Sequence, residues 1–223
     1  MTAMKQSIRT LLARLIQSAS SKPSNHFDAQ QSELAFVIAD ISGYTEYIKA
    51  NAESTEHAHA VIAELLESIV NAMAEPLVLN KFEGDAVLMY SRVASGHASV
   101  MPEIFEKSIA LFKNFEQRKQ ELARNRKVCP CDACIGIDKL KIKIIIHGGK
   151  AAIRKIFQFD EIAGPDVIRV HRLLKNNIES NQYLMLTEQA MNGLSASPKL
   201  QGAWSTETHA HLGDVNVWVY DAQ

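Results

Sequence analysis

The stretch Phe36-Val37-Ile38-Ala39-Asp40-Ile41-Ser42-Gly43-Tyr44-Thr45, residues 36–45, carries most of the information about the fold. The apolar run 34–39 predicts a buried strand, because it is short and contains no polar residue. Ser42 or Gly43 can cap a helix that follows. A carboxylate at the end of a strand can reach a metal ion, and the amides of a helix start can hold phosphate oxygens. Asp40 is therefore a candidate metal ligand, although an aspartate here is more often a helix cap.

A second acidic residue lies in the segment 77–90, LVLNKFEGDAVLMY, which predicts a β-hairpin. Two apolar runs flank Glu83-Gly84-Asp85, and this triplet has the composition of a turn. Two acids at strand ends, brought together, could bind two Mg²⁺ ions around a triphosphate. An ordinary turn explains Asp85 equally well, so these residues alone leave metal binding open.

The rest of the chain predicts a mixed architecture. Helical and alternating spacings give the order β-α-α-β-β-α-β-β-α-β-β. Adjacent hairpins in this order favour an α+β or mixed α/β fold over a doubly wound parallel sheet. Gly148-Gly149 is expected to form a tight connection between two strands. The further predicted helices are 56–74, 101–124 and 166–175, and the further predicted strands are 140–147, 150–159, 183–186 and 215–220.

The N-terminal residues differ from the rest in composition. Apolar residues within 3–17 recur at helical spacing, and the following residues are rich in serine and other polar types. We therefore predict an amphipathic helix and linker over 1–32 and one domain over 33–223. With only three cations on this helix, docking on protein is favoured over docking on a membrane surface.

Composition excludes several classes of protein. The 223 residues contain 24 Lys and Arg against 25 Asp and Glu, a net charge of −1, so no overall field attracts nucleic acid or anionic membrane. The 47% hydrophobic and 22% charged residues are typical of a globular domain. No apolar run approaches the roughly 18 residues that suggest a membrane span. Since three cysteines cannot all pair within one chain, we expect a cytoplasmic protein.

The cysteines form one cluster. Cys129, Cys131 and Cys134 lie within six residues, and a Cys-x-Cys-x-x-Cys loop offers three soft ligands to Zn²⁺. Structural zinc needs a fourth ligand, so a reduced loop without metal and a redox-sensitive disulfide remain alternatives.

Five segments resemble the motifs of class III nucleotidyl cyclases. Residues 36–45 resemble the first metal-binding motif, and 81–87 the second. The His-x-Gly strand, the Gly-x-x-Val-Asn-x-Ala-x-Arg segment and the closing strand of the family are similar to residues 146–150, 164–173 and 212–220. The matches run in order over residues 34–221. The resemblance implies the mixed, ferredoxin-like fold of these cyclases, in a divergent bacterial family of undefined function.

The resemblance also implies a site. Asp40 and Asp85, with the Ile41 carbonyl, would hold two Mg²⁺ or Mn²⁺ ions, and the amides of Gly43, Tyr44 and Thr45 would hold phosphates. Lys81 would recognise adenine, with Glu161 as its acidic partner and Asp160 adjacent. Arg172 would stabilise charge on the transferring phosphorus. In this family the two halves of a site come from opposite subunits, so an active protein would be a head-to-tail homodimer.

One residue departs from the family pattern. Ile168 stands where these cyclases have an asparagine that positions the ribose, and isoleucine cannot form hydrogen bonds. The leading hypothesis is an enzyme that converts a nucleoside triphosphate, preferentially ATP because of Lys81, to a 3′,5′-cyclic nucleotide and pyrophosphate. Ile168 motivates an alternative, a nucleotide- or metal-binding module without turnover. A second alternative is an interaction or redox-responsive protein built on the cysteine cluster.

Overall fold

The computed structural model describes residues 31–94, 96–124, 136–196, 198–210 and 212–223. Eight strands and five α-helices lie within these ranges. The strands are β1 Gln31–Ser42, β2 Val78–Glu83, β3 Ala86–Arg92, β4 Lys141–Ile156, β5 Phe159–Ala163, β6 Tyr183–Thr187, β7 Ala203–His209 and β8 Gly213–Asp221. The helices are α1 Tyr44–Ala50, α2 Thr55–Met73, α3 Met101–Arg124, α4 Pro165–Leu173 and α5 Glu188–Met191.

All eight strands belong to one sheet, and this confirms the predicted α+β class. The strand order is β2-β3-β1-β4-β6-β8-β7, and β5 pairs with the distal half of β4. Strands β4 and β6 are parallel, whereas the other pairs are antiparallel. A mixed sheet with adjacent hairpins is the arrangement that the element order predicted.

The central strand β1 is apolar throughout because both of its faces are buried. Its odd-numbered residues from Ala35 to Ile41 pack with α2 and α3 in one core. Its even-numbered residues from Leu34 to Ile38 pack with α4 in a second core. Alternate residues of a strand point to opposite faces, so a strand between two helical layers needs a continuous apolar run.

The predicted tight connection at Gly148-Gly149 is wrong. Strand β4 continues through both glycines to Ile156, and the chain reverses after it, at residues 157–158. The glycines serve close packing instead of a turn. A Cβ atom at Gly148 would lie 2.9 Å from the ring of His97, and one at Gly149 would collide with the carboxylate of Asp166.

Strand β7 and the short helix α5 are absent from the predicted element order. β7 is mostly exposed and lies at the edge of the sheet, where it pairs with β8 along its whole length. Its sequence, AWSTETH, has no alternation of apolar and polar residues because little of it is buried. The strand predicted over 150–159 is mostly the distal half of β4, and the strand that follows the turn, β5, lies at Phe159–Ala163. The other predicted elements within the described ranges match the observed ones within a few residues.

Residues 1–30 lie outside the described ranges, and so does the amphipathic helix predicted over 3–17. The division of the chain at residue 32 stays a prediction; the first described strand begins at Gln31. Among the described helices, none combines the length and the apolar character needed to cross a bilayer.

Candidate active site

Asp40 and Asp85 lie side by side at one end of the sheet. Asp40 is near the end of β1 and pairs with Ala86, the residue after Asp85. The amide of Ile41 donates a hydrogen bond of 3.1 Å to the carbonyl oxygen of Asp85. The pairing of β1 with β3 therefore brings the two predicted metal ligands together, although 45 positions separate them in the chain.

The pKa values of both aspartates are raised. The pKa of Asp40 rises to about 6, first because of burial and then because of the negative charge of Asp85, while Lys143 opposes the shift. Burial likewise raises the pKa of Asp85. A hydrogen bond from its own backbone amide to its carboxylate and the positive charge of Lys143 lower the pKa in part. Two partly buried carboxylates that repel each other are a feature of functional sites, since structural packing alone does not favour them.

This donor set fits a divalent cation of the magnesium type. Mg²⁺ and Mn²⁺ prefer oxygen ligands, and a cation between the two carboxylates would relieve their repulsion. No group of three or more His, Cys, Asp and Glu side chains suited to a metal occurs in the part of the chain that the structure describes. A cation here would therefore bind through the two aspartates, backbone oxygen such as that of Ile41, water and substrate phosphate.

Lys143 is a site residue that the sequence reasoning missed. It pairs directly with Asp40 across β1 and β4, so both side chains lie on the α4 side of the sheet. Its ammonium group is 6.0 Å from the ring centre of Tyr183, which is fully buried. Burial, with Asp40 and Glu207 as nearby negative charges, raises the pKa of Tyr183 to about 12 despite a hydrogen bond from Asn176. A lysine opposite a strand-terminal aspartate becomes visible only once the strand pairing is known.

Lys81 and Glu161 meet as the resemblance implied. The ammonium nitrogen of Lys81 lies 2.7 Å from Glu161 Oε2, and both side chains are about one-third exposed or slightly more. The neighbouring Asn80 donates a 2.6 Å hydrogen bond to the carbonyl oxygen of Asp160, which ties β2 to β5. The side chain of Asp160 points elsewhere, 3.9 Å from Lys155.

A β-bulge at Asn80 aims Lys81 at this position. Leu79 pairs with Met89 and Lys81 pairs with Leu88, so Asn80 is an extra residue in β2. Leu79 faces the core under α2 and α3, as Met89 does. Strict alternation would turn Lys81 to that same apolar side. The extra residue turns Lys81 and Glu83 toward α4 instead.

Ile168 and Arg172 share the solvent-exposed side of α4. They are four residues apart, which places them on one helix face. Ile168 is 53% exposed. Within the described ranges the side chain of Arg172 has no hydrogen bond or ion pair, and the structure does not join it to Asp40 or Asp85. Arg172 is therefore available to a ligand or to a second subunit.

The predicted phosphate-binding amides lie at the start of α1. Gly43 is the N-cap, with φ of 86°, a left-handed conformation that favours glycine. Tyr44 is half-buried, and Gly43 and Thr45 are exposed. The amides of a first helical turn have no partner within the helix, so they can donate hydrogen bonds to a ligand. Ser42 Oγ beside them is buried without a hydrogen-bond partner in the described chain and borders a cavity of about 730 Å³.

His147 is a packed histidine, as expected for its place in an apolar strand. It is fully buried, and its Nδ1 lies 2.8 Å from Thr187 Oγ1. Its Nε2 lies 3.2 Å from Asp166 Oδ1 without the alignment of a hydrogen bond. Burial lowers the pKa of His147, and the contact with His147 is the first cause that lowers the pKa of Asp166 to about 2. Asp166 also accepts a hydrogen bond from the Lys150 amide, so it is engaged away from Ile168.

The cysteine cluster falls outside the described residues. Cys129, Cys131 and Cys134 belong to the range 125–135, which the structure does not describe. Zinc binding at this cluster therefore stays a prediction.

The fold is that of class III nucleotidyl cyclase catalytic domains. The guanylyl cyclase Cya2 superposes with a TM-score of 0.68 at 12% identity, over 86% of this chain and 92% of that one. The adenylyl cyclase CyaB from P. aeruginosa gives a TM-score of 0.61 at 16% identity, over 87% and 96%. At these identities the similarity shows the fold alone.

The chain belongs to the family described as "Protein of unknown function (DUF2652)", whose family model matches residues 62–183. An uncharacterized protein of Mycobacterium tuberculosis, Rv2561/Rv2562, is 32% identical over 160 residues, which are 72% of this chain and 73% of the relative. The matched range includes Lys81, Asp85, Glu161 and Arg172, whereas Asp40 precedes it. The expected divergent branch of the cyclase fold is confirmed.

Proposed function

We propose that this protein is a nucleotidyl cyclase that converts a nucleoside triphosphate, with ATP preferred, to a 3′,5′-cyclic nucleotide and pyrophosphate. In this reaction the ribose 3′ oxygen bonds to the α-phosphorus. The bond from that phosphorus to the oxygen bridging the β-phosphate breaks, and the 3′ proton is lost. The observation that carries the proposal is the Asp40–Asp85 pair, two adjacent carboxylates with raised pKa values on a cyclase fold.

Different residues of this chain would bind the cations and the phosphates. Asp40 and Asp85 would hold two divalent cations, which lower the pKa of the 3′-hydroxyl and neutralise the leaving pyrophosphate. Lys143 adds a positive charge next to Asp40, where phosphate oxygens would lie. The amides of Gly43, Tyr44 and Thr45 would hold further phosphate oxygens.

Base recognition is assigned to Lys81 and Glu161. Lys81 is a donor and Glu161 an acceptor, so together they can read the adjacent acceptor and donor of an adenine edge. Arg172 has no partner in the described chain and would stabilise the charge that develops on the phosphoryl group.

We further propose that the active form is a homodimer. Large apolar side chains are exposed at the β4–β5 hairpin, on β2 and on α4. Exposed apolar surface of this kind, where it is contiguous, marks interaction sites. Phe157 at the hairpin tip is 91% exposed. A second copy that covered these residues could bring its Arg172 to the Asp40–Asp85 pair. The exposed residues are Phe82, Ile156, Phe157, Phe159 and Ile168.

The test is a turnover assay on the purified full chain. The protein is incubated with each of the four ribonucleoside triphosphates and Mn²⁺ or Mg²⁺, and products are identified by mass spectrometry. A cyclic nucleotide should appear with wild type and with Glu53→Gln, an exposed acid in a 3₁₀ turn, but not with Asp40→Asn. No cyclic product from any triphosphate with wild type would overturn the proposal.

A specific observation favours one rival. The side chain of Ile168 is apolar and 53% exposed. It stands at the position where class III cyclases, which this sequence resembles, have the asparagine that positions the ribose. A protein that binds nucleotide without turnover would show saturable binding in calorimetry, no product, and loss of binding in Lys81→Ala. The cysteine-based interaction hypothesis has no structural support within the described ranges and stays a prediction.

A further inference from the structure

Strand β2 is held to its neighbours by polar contacts rather than by burial. None of its residues is buried, in contrast to β3, where only the last residue is exposed. Asn80 and Lys81 contact β5, as described above. Two residues further on, Glu83 faces the same side as Lys81 and contacts helix α4 through His171. The edge strand is thus fixed by a row of side-chain contacts.

The contact between Glu83 and His171 joins two parts of the candidate active site. Glu83 Oε2 lies 3.0 Å from His171 Nδ1, and the side chains are 38% and 27% exposed. Glu83 is the last residue of β2, and Gly84 and Asp85 follow it. Its contact with His171 therefore anchors the end of the strand next to the turn that carries Asp85. His171 immediately precedes Arg172 on α4.

The other contacts of α4 do not fix its orientation at the end near Arg172. Its buried residues Val167, Val170 and Leu173 pack against the sheet and fix the depth of the helix. Apolar packing of this kind is non-directional and tolerates small rotations. His171 and Asp166 add directed contacts at the two ends of the helix, to β2 and to β4 respectively. The contact to β2 is the one nearer Arg172.

We propose that Glu83 and His171 form a positioning pair that holds the β2–β3 hairpin and helix α4 in register, and so sets the relative placement of Asp85 and Arg172. The proposal rests on the proposed function for its kinetic consequence only, because the contact itself is independent of substrate. Breaking the pair should lower turnover, since small misplacements of catalytic groups reduce rate steeply. It should leave nucleotide binding through Lys81 nearly intact.

The kinetic experiment uses substitutions with a conservative partner. His171→Ala and Glu83→Ala each remove the contact, whereas His171→Asn retains an N–H close to the position of Nδ1. We expect kcat to fall about tenfold in either alanine variant, with KM changed less than twofold, and kcat to recover within about threefold in His171→Asn. The double alanine variant should be no worse than the single ones, because the two residues act as a unit.

The matched control is His59→Ala, which removes an exposed histidine from α2. Circular dichroism of every variant checks folding. Equal activity of His171→Ala and wild type would overturn the positioning pair. Additive losses in the double variant would overturn it as well, and so would an asparagine variant as impaired as the alanine variant.

Hydrogen exchange separates this proposal from the proposed function. His171→Ala should accelerate amide exchange both at residues 83–86 and at residues 168–173 by about tenfold, and His171→Asn should restore it, while His59→Ala changes neither segment. If wild type makes no cyclic nucleotide, the cyclase proposal fails and this measurement alone decides on the pair. Unchanged exchange in the hairpin of His171→Ala would overturn it.

Discussion

Lys81 and Glu161 are 80 positions apart in the chain, and their charged groups are 2.7 Å apart in the structure. The pair links the edge strand β2 to β5. Since β5 pairs only with the distal half of β4, this link also sets where the β4–β5 hairpin lies relative to the hairpin that carries Asp85.

Removing Lys81 should impair the preferred nucleotide most. We expect Lys81→Ala to lower kcat/KM for that triphosphate by about tenfold to a hundredfold, because a hydrogen bond from a charged group contributes about 1.5–3 kcal/mol. The measurement is kcat/KM for each triphosphate. Lys113→Ala, at an exposed position of α3, is the matched control. An equal decrease for all four triphosphates would contradict a role in base recognition.

Asp40 should make stability depend on pH. Its folded pKa of about 6 lies above the ordinary value of 3.8, so the stability it contributes is present below pH 3.8 and is lost as pH rises through 6. The free energy of unfolding of Asp40→Asn, measured with denaturant, should therefore exceed that of wild type by up to about 3 kcal/mol at pH 7.5. At pH 3.5 the two proteins should be equally stable. Added Mn²⁺ should stabilise wild type but not this variant. A variant less stable than wild type at pH 7.5 without metal would contradict the raised pKa.

Asp166 should make stability depend on pH in the opposite sense to Asp40. Its pKa of about 2 lies below 3.8, so its contribution to stability is present above pH 3.8 and is lost as pH falls through about 2. Asp166→Asn should cost about 2 kcal/mol at pH 7, measured by urea unfolding, and clearly less near pH 2.5. Asp138→Asn, whose carboxylate has no ion pair in the described chain, should change stability little. A loss that is constant with pH would assign the effect to packing alone.

Gly149 should tolerate no side chain. A Cβ atom there would collide with Asp166, so Gly149→Ala should cost about 1–3 kcal/mol, the usual range for overpacking. Gly136→Ala is the control, because its Cβ would meet Tyr47 at an ordinary 3.4 Å. Thermal unfolding of the two variants compares the sites. Equal melting temperatures would show that α4 moves aside without cost.

Phe157 should contribute to self-association. Replacing this 91% exposed residue by aspartate should weaken the proposed homodimer by at least about tenfold, because it loses apolar burial and introduces an unpaired charge. Sedimentation velocity over a range of protein concentrations measures the change. Trp204→Ser is the control for an exposed aromatic residue far from this hairpin in the strand order. A wild type that is monomeric at every concentration would contradict the dimer proposal.

Local pattern was enough to predict the strand that carries Asp40 and the hairpin that carries Asp85. Both acids follow or flank apolar runs, and such runs report burial directly. The meeting of Lys81 with Glu161 was accessible only through family resemblance, because no local pattern links residues 80 positions apart. The roles of Ile41, Gly43, Tyr44, Thr45 and Arg172 stay predictions.

Other features were beyond sequence reasoning for physical reasons. Lys143 alternates with isoleucines as a solvent-facing lysine would, and only strand pairing places it beside Asp40. Gly148 and Gly149 look like a turn, since a glycine needed for close packing and one needed for a turn are identical in sequence. The contact of Glu83 with His171 joins an edge strand to a helix, and no local pattern links these two residues, although each lies in a segment that resembles a family motif.

The extra residue at Asn80 is the one position of β2 that the pairing with β3 does not use. Substitution of Lys81 changes one charge and leaves the strand in place. Deletion of residue 80 would remove the bulge, and Lys81, Phe82 and Glu83 would keep their partners on β3, because Leu79 and Lys81 already pair with the adjacent residues Met89 and Leu88. A lineage that carries this strand can therefore vary Lys81 by point mutation. It can also lose the codon for Asn80, at the cost of the hydrogen bond to Asp160 but of neither ionic contact.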